Sequence, residues 1–122
     1  MRRLRGARGQ AAVELALGLP LVFIALLAVV QVVLVARDQI AVLHAAREGA
    51  RAAAVDRDVG AAGVAAREAL GLDLGRVSVD ATRAGDRVRV VVHYRSATDV
   101  PLVGSLLGDI DLSGSATMRA EP

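Results

Sequence analysis

From Leu15 to Ala36 the chain runs for 22 residues with a single strongly polar side chain, Gln31. A helix rises about 1.5 Å per residue, so this run is about 33 Å long. A bilayer hydrocarbon core is roughly 30 Å thick. Arg2, Arg3, Arg5 and Arg8 precede the run, and Glu14 stands at its leading edge. A chain holding such a segment is organised by it. The expected divisions are a basic leader over 1–9, a transmembrane helix over 10–36, and a small extracytoplasmic domain over 37–122.

The charge distribution supports that division. All 15 basic residues are arginine, and four of them lie in the leader. From residue 37 onward 11 arginines face 12 carboxylates, so the domain carries no basic excess. Nucleic-acid recognition wants a basic face on a folded module, and no nucleic-acid partner is expected here. Arginine on one side of an apolar span predicts that this side stays in the cytoplasm. The chain has no cysteine, hence no disulfide framework or thiol chemistry. Phe23 and Tyr94 are its only aromatics, so the core of an 86-residue domain must be built from Val, Leu, Ala and Ile.

Three readings fit the apolar segment. A cleaved secretory signal has an apolar region of about 7–15 residues, shorter than the present run. An uncleaved single-pass anchor fits the composition, its outer domain then binding an envelope partner or a ligand. The third reading uses Glu14. A carboxylate at a membrane boundary is costly unless it is paired. Cleavage between Gly9 and Gln10 makes Glu14 the fifth residue, where it can meet a free α-amino group and cancel two charges. The cut precedes the apolar run, so the mature chain keeps its helix.

The segment Gly9-Gln10-Ala11-Ala12-Val13-Glu14-Leu15-Ala16-Leu17, with Pro20-Leu21 and then Ala45-Ala46-Arg47-Glu48-Gly49-Ala50-Arg51-Ala52-Ala53-Ala54, resembles the TadE-like family. These are small pseudopilins or minor pilins of tight-adherence, Flp-type type IV pilus systems. Leu15 stands where Flp-type sites often carry an aromatic. The resemblance implies cleavage by a prepilin peptidase after Gly9, with Glu14 serving membrane retention or subunit docking. It also implies other pilin subunits and the Tad secretion and assembly machinery as partners. Glu14 alone also reads as an acid placed at a helix N-terminus, where the macrodipole favours it.

Within the span Pro20 removes one ladder bond, which membrane helices tolerate. It either shapes packing in an assembly or bends the helix passively. Gln31 either hydrogen-bonds across helices or lies idle near the outer interface. No stop signal appears at Arg37-Asp38, so the helix is expected to continue to about residue 55. Ala36, Ile40, Leu43, Ala46, Ala50 and Ala53 form a helical stripe, with Gln39 on it and Arg47 at its edge. A second face, Ala41, Ala45, Gly49 and Ala52, is uniformly small and lets another backbone approach. The expectation is one face for the chain's own domain and one for a neighbouring subunit. Alanine's helix propensity accounts equally for the small face.

Asp56-Arg57-Asp58-Val59-Gly60 breaks the pattern, and Asp58 is the expected N-cap of a second helix over about 59–70, closed by Gly71. Alternation at Val77, Val79 and Ala81, then at Val88, Val90, Val92 and Tyr94, predicts strands at about 76–82 and 87–95 joined by a turn over 83–86. Leu112, Gly114, Ala116 and Met118 alternate with polar residues and predict a third strand at about 111–119. The connection from Ser96 to Asp111 holds Val100-Pro101-Leu102-Val103 and Leu106-Leu107, unusually apolar for a loop. Core closure is expected, the alternative being an exposed contact patch. The expected class is α+β, a long transmembrane helix extending into a domain with a second helix and a three-stranded antiparallel sheet.

Enzymatic chemistry is not indicated. His44 and His93 are isolated, without ligand spacing. Gly60-Ala61-Ala62-Gly63 lacks the strand that a phosphate loop requires before it. No serine lies in a nucleophile motif. Neither a cofactor nor a small-molecule substrate is expected, and the chain reads as a structural membrane protein.

Overall fold

A computed structural model describes the backbone over residues 2–56 and 58–121, and side chains from residue 6 onward. The side chains of Arg2, Arg3 and Arg5, and the whole of Arg57, lie outside the described residues. The element order is α1 (Arg2–Val55), α2 (Gly60–Leu70), a short 3-10 turn (Leu74–Arg76), β1 (Val77–Ala84), β2 (Arg87–Ser96), α3 (Gly104–Leu107) and β3 (Ile110–Arg119). The strands form one antiparallel sheet in the order β1-β2-β3. The α+β class expected from the sequence is the class observed.

Helix α1 is 54 residues long, about 80 Å, and runs without a break through Pro20 and through Arg37-Asp38. Its inner half stands alone. Its outer half lies against one face of the sheet, in contact with β2 and β3, while α2 contacts both α1 and β1. The core is the layer between: Val42, Ala45, Ala46, Ala50 and Ala53 of α1, Ala62, Ala66 and Leu70 of α2, and Val88, Val90, Val92 and Tyr94 of β2. Valine and alanine dominate, with Tyr94 the one aromatic in this cluster, so the helices must come close to the sheet to fill the space.

Two glycines make that approach possible. A Cβ on Gly49 would lie 3.0 Å from the Ala62 carbonyl oxygen, 3.1 Å from the Ala66 Cβ and 3.2 Å from a Val90 methyl. A Cβ on Gly114 would lie 3.2 Å from both the Cα and the backbone nitrogen of Leu43. The first seats α2 and β2 on α1, and the second lets β3 rest on the helix backbone.

These contacts correct the reading of the two faces of α1. Ala45 and Gly49 are buried against the chain's own domain, and Ala41 is half-buried there, so the small face is not free for a neighbouring subunit. Ala36 and Ile40, placed on the packing stripe, are exposed, Ile40 to 69%. Val42 is fully buried in their stead. The domain meets the side of α1 where the backbone is least covered, because close approach there buries more of the light core.

The remaining elements differ from expectation in detail. The second helix begins at Gly60 with Val59 in the N-cap position expected for Asp58, which stands one residue earlier; the Asp58 Oδ1 accepts from the Gly60 N–H at 2.9 Å, and its carbonyl accepts from Ala61. The turn is tighter than 83–86, since β1 runs to Ala84 and β2 resumes at Arg87, with Gly85 at φ +60. The loop after β2 does both things weighed for it. Val100 and Val103 are buried, whereas Leu102, Leu106 and Leu107 are exposed to 59%, 83% and 60%.

Helix α1 ends without a glycine. Its last carbonyls are satisfied from afar: the Arg83 guanidinium donates to Ala53 O at 2.7 Å and to Asp56 O at 3.3 Å. The Glu121 N–H donates to Ala54 O at 3.0 Å. Carbonyls at a helix C-terminus lack intrahelical donors, so a cation there also complements the macrodipole.

Candidate membrane anchor and processing site

Gly9, Gln10 and Glu14 lie on α1 and are all exposed. Gln10 and Glu14 are four residues apart, so they share one helix face with their Cβ atoms about 5–6 Å apart. From Val13 to Val33 the large apolar side chains are exposed apart from Leu27, which is half-buried; Leu17 reaches 75% and Leu21 70%. A helix apolar all round belongs to a membrane span or to a large core, and most of this half stands uncovered. Among the described residues α1 is the one helix long and apolar enough to cross a membrane. Pro20 is exposed within it. The chain therefore reads as a single-pass membrane protein.

Gln31 departs from its neighbours. It is 2% exposed, and neither its Oε1 nor its Nε2 has a hydrogen-bond partner within the chain. Sequence reasoning left it between a cross-helix bond and an idle position; the structure places it under cover, on the domain-facing side of the helix.

Where α1 leaves the span, two side chains dock it to the sheet. Ser96 Oγ, at the end of β2, donates to Asp38 Oδ2 at 2.6 Å. The Gln39 side-chain amide donates to the Ser113 carbonyl of β3 at 2.9 Å. Neither pairing was foreseen. The only signal available was a polar pair, Asp38-Gln39, just past an apolar run.

The outer face of the sheet is polar and carries ion pairs between its strands. Arg95 Nε meets Asp111 Oδ1 at 3.1 Å directly across β2 and β3, and Arg119 Nε meets Asp86 Oδ2 at 2.8 Å. An open groove of about 780 Å³ at the membrane-proximal end of the sheet is lined by Arg76, His93, Tyr94, Arg95, Asp109 and Asp111 among others. Its charges face one another: Arg76 pairs with Asp109 at 3.4 Å, and His93 Nε2 lies 3.8 Å from Asp80. Burial raises the Tyr94 hydroxyl above its usual value of 10.0. Among the described residues no cluster of His, Asp or Glu has the makings of a metal site, and His44 stands apart from His93.

The comparison with protein families bears on the helix that carries Gly9, Gln10 and Glu14. Residues 9–51 match the family of TadE-like proteins. The match begins at the glycine before the candidate cut, covers the whole apolar run, and ends one turn short of the C-terminus of α1. The TadE-like family is one of pilus structural components and not a family of enzymes. The TadE-like region thus comprises the anchor and the part of α1 on which the domain is built, while α2 and the sheet lie beyond it. No curated protein and no solved structure matches the chain.

Proposed function

We propose that the chain is a minor pilin or pseudopilin of a tight-adherence, Flp-type pilus. It enters the membrane with its N-terminus in the cytoplasm and its domain outside, and a prepilin peptidase cuts it between Gly9 and Gln10. It then joins other pilin subunits under the control of the Tad assembly machinery. The observation that carries this reading is the coincidence of three features on α1: the family match starting at Gly9, Glu14 four residues past Gln10, and an uncharged span whose large apolar side chains are mostly exposed.

The chemistry is charge cancellation. Cleavage leaves a free ammonium on Gln10 within reach of the Glu14 carboxylate of its own helix or of a neighbouring one. A paired carboxylate enters the membrane boundary at far lower cost than a lone one. A subunit whose Glu14 finds its partner only on a neighbour is held in axial register by that pair. The outer domain, packed on α1 through its own core, presents specific contacts without catalysing a reaction.

The test is the N-terminal sequence of the membrane-fraction protein from a cell that holds the peptidase. Gln10 is expected as the first residue, and an intact Met1 would overturn the processing reading. Glu14→Ala is expected to keep membrane insertion and to lose incorporation into filaments. Unchanged incorporation would remove the role given to Glu14.

A further inference from the structure

Strand β2 runs antiparallel to the outer half of α1, from beside Gly49 at Val90 down to Asp38 at Ser96. The chain leaves the sheet there and returns to it at Ile110, the pairing partner of Ser96. The loop 97–109 is therefore hung from the membrane-proximal end of the domain, alongside the final turns of the apolar run. Gln31 sits seven residues below Asp38, about 10 Å deeper along the helix. It is 2% exposed while Val30 and Val32 beside it are 49% and 67% exposed. Leu27 and Val35, on the same stripe, are half-buried. Gln31 is thus covered within the chain, and 97–109 leaves the sheet at the end of the domain nearest to it.

The loop is a built shape. Thr98 Oγ1 donates to the Gly108 carbonyl, and the Gly104 N–H donates to Val100 O at 2.8 Å. Gly104 rests so closely on the Thr98 carbonyl that no Cβ fits. Leu102 adopts φ +66, a left-handed conformation rare for leucine, and stands out from the surface. Backbone held in such a conformation clusters where a side chain must be presented. From Val100 to Gly108 there is no charged residue, and Asp99 and Asp109 flank the stretch.

We propose that this loop seats Leu102, Leu106 and Leu107 at the headgroup–acyl boundary of the bilayer that α1 crosses, so that the domain rests on the membrane surface. The assignment rests on Leu15–Ala36 being the spanning segment. Its occupant is lipid because the patch is exposed and uncharged and hangs from Ser96, which is bonded to Asp38 where α1 leaves its apolar run. Apolar side chains at an interface bury themselves about 5–10 Å into that boundary.

Because the chain has no cysteine, single labels are unambiguous. The full chain is reconstituted in phosphatidylcholine nanodiscs with a fluorophore on Leu106→Cys, on Val22→Cys in the span, or on Ser115→Cys on the outer sheet face. Quenching by nitroxide-bearing lipids is compared with quenching by aqueous iodide. The expected result is several-fold stronger lipid quenching at Leu106→Cys than at Ser115→Cys, with the opposite order for iodide. Iodide access at Leu106→Cys equal to that at Ser115→Cys, with Val22→Cys still quenched by lipid, overturns the proposal alone. Shielding of Leu106→Cys from both quenchers overturns it in favour of a protein contact. Absence of lipid quenching at Val22→Cys overturns the span, and the proposal with it.

Discussion

Ser96 Oγ donates to the Asp38 carboxylate at 2.6 Å, joining the end of β2 to the first turn of α1 beyond the apolar run. Ser96 is 2% exposed, so its hydroxyl has no recourse to bulk water. Ser96→Ala is expected to destabilise the domain by about 1–3 kcal/mol, a typical cost for a bond to a charged group whose partner is left unsatisfied. Asp38→Ala should cost a similar amount, and the double variant less than the sum. Thermal unfolding of the detergent-solubilised full chain measures both, and additive losses would show that the two groups act independently.

The two helices meet at Gly49, and any side chain there strikes the Ala62 carbonyl. Gly49→Val is expected to cost about 1–3 kcal/mol through overpacking. Gly63, inside α2, has nothing within 4 Å of a built Cβ. Gly63→Ala should therefore stabilise the chain by up to about 1 kcal/mol through helix propensity. Opposite shifts in melting temperature are the expected signature, and a loss at both sites would refute the packing described for α2.

Arg83 closes the C-terminus of α1 through two backbone carbonyls. Arg83→Met keeps the aliphatic stem and removes the donors. Its expected effect is a loss of about 1 kcal/mol and faster amide exchange confined to the last turn of α1 and the 56–59 connection. Unchanged exchange there would mean that the Glu121 backbone contact suffices alone.

Gln31 holds a buried amide with no partner in the chain. Replacing an unsatisfied amide by an apolar group of similar size removes a desolvation penalty of about 1–3 kcal/mol. Gln31→Leu is expected to raise the melting temperature of the isolated chain in detergent. A fall would show that the amide is bonded in the folded protein.

The sheet was readable from the sequence because its physics is local. In β2, Val88, Val90, Val92 and Tyr94 alternate with Arg89, Val91, His93 and Arg95, and the alternation survives as inside and outside faces, with Val91 half-buried. The same holds for Leu112, Gly114, Ala116 and Met118. The span was readable for the same reason, since length and hydropathy mark it without reference to other segments. The packing face of α1 was not. Beyond Asp38 that helix is small-residue-rich on more than one side, so periodicity cannot choose. The choice is made by Gly114 and Ala62, far off in sequence, which fit against Leu43 and Gly49. The 97–109 loop divides between core and surface residue by residue, which composition cannot resolve.

The unbroken passage of α1 through Arg37-Asp38 makes the domain a rigid extension of its anchor. From Ala36 to Val55 the helix extends about 28 Å beyond the apolar run, so a tilt of about 10° in the span swings its outer end by roughly 5 Å. There is no hinge at the membrane surface to absorb that motion. Compliance between bilayer and domain is instead displaced inward to Pro20, where a ladder bond is missing. How the anchor leans in the lipid thereby sets how the domain stands against the membrane surface.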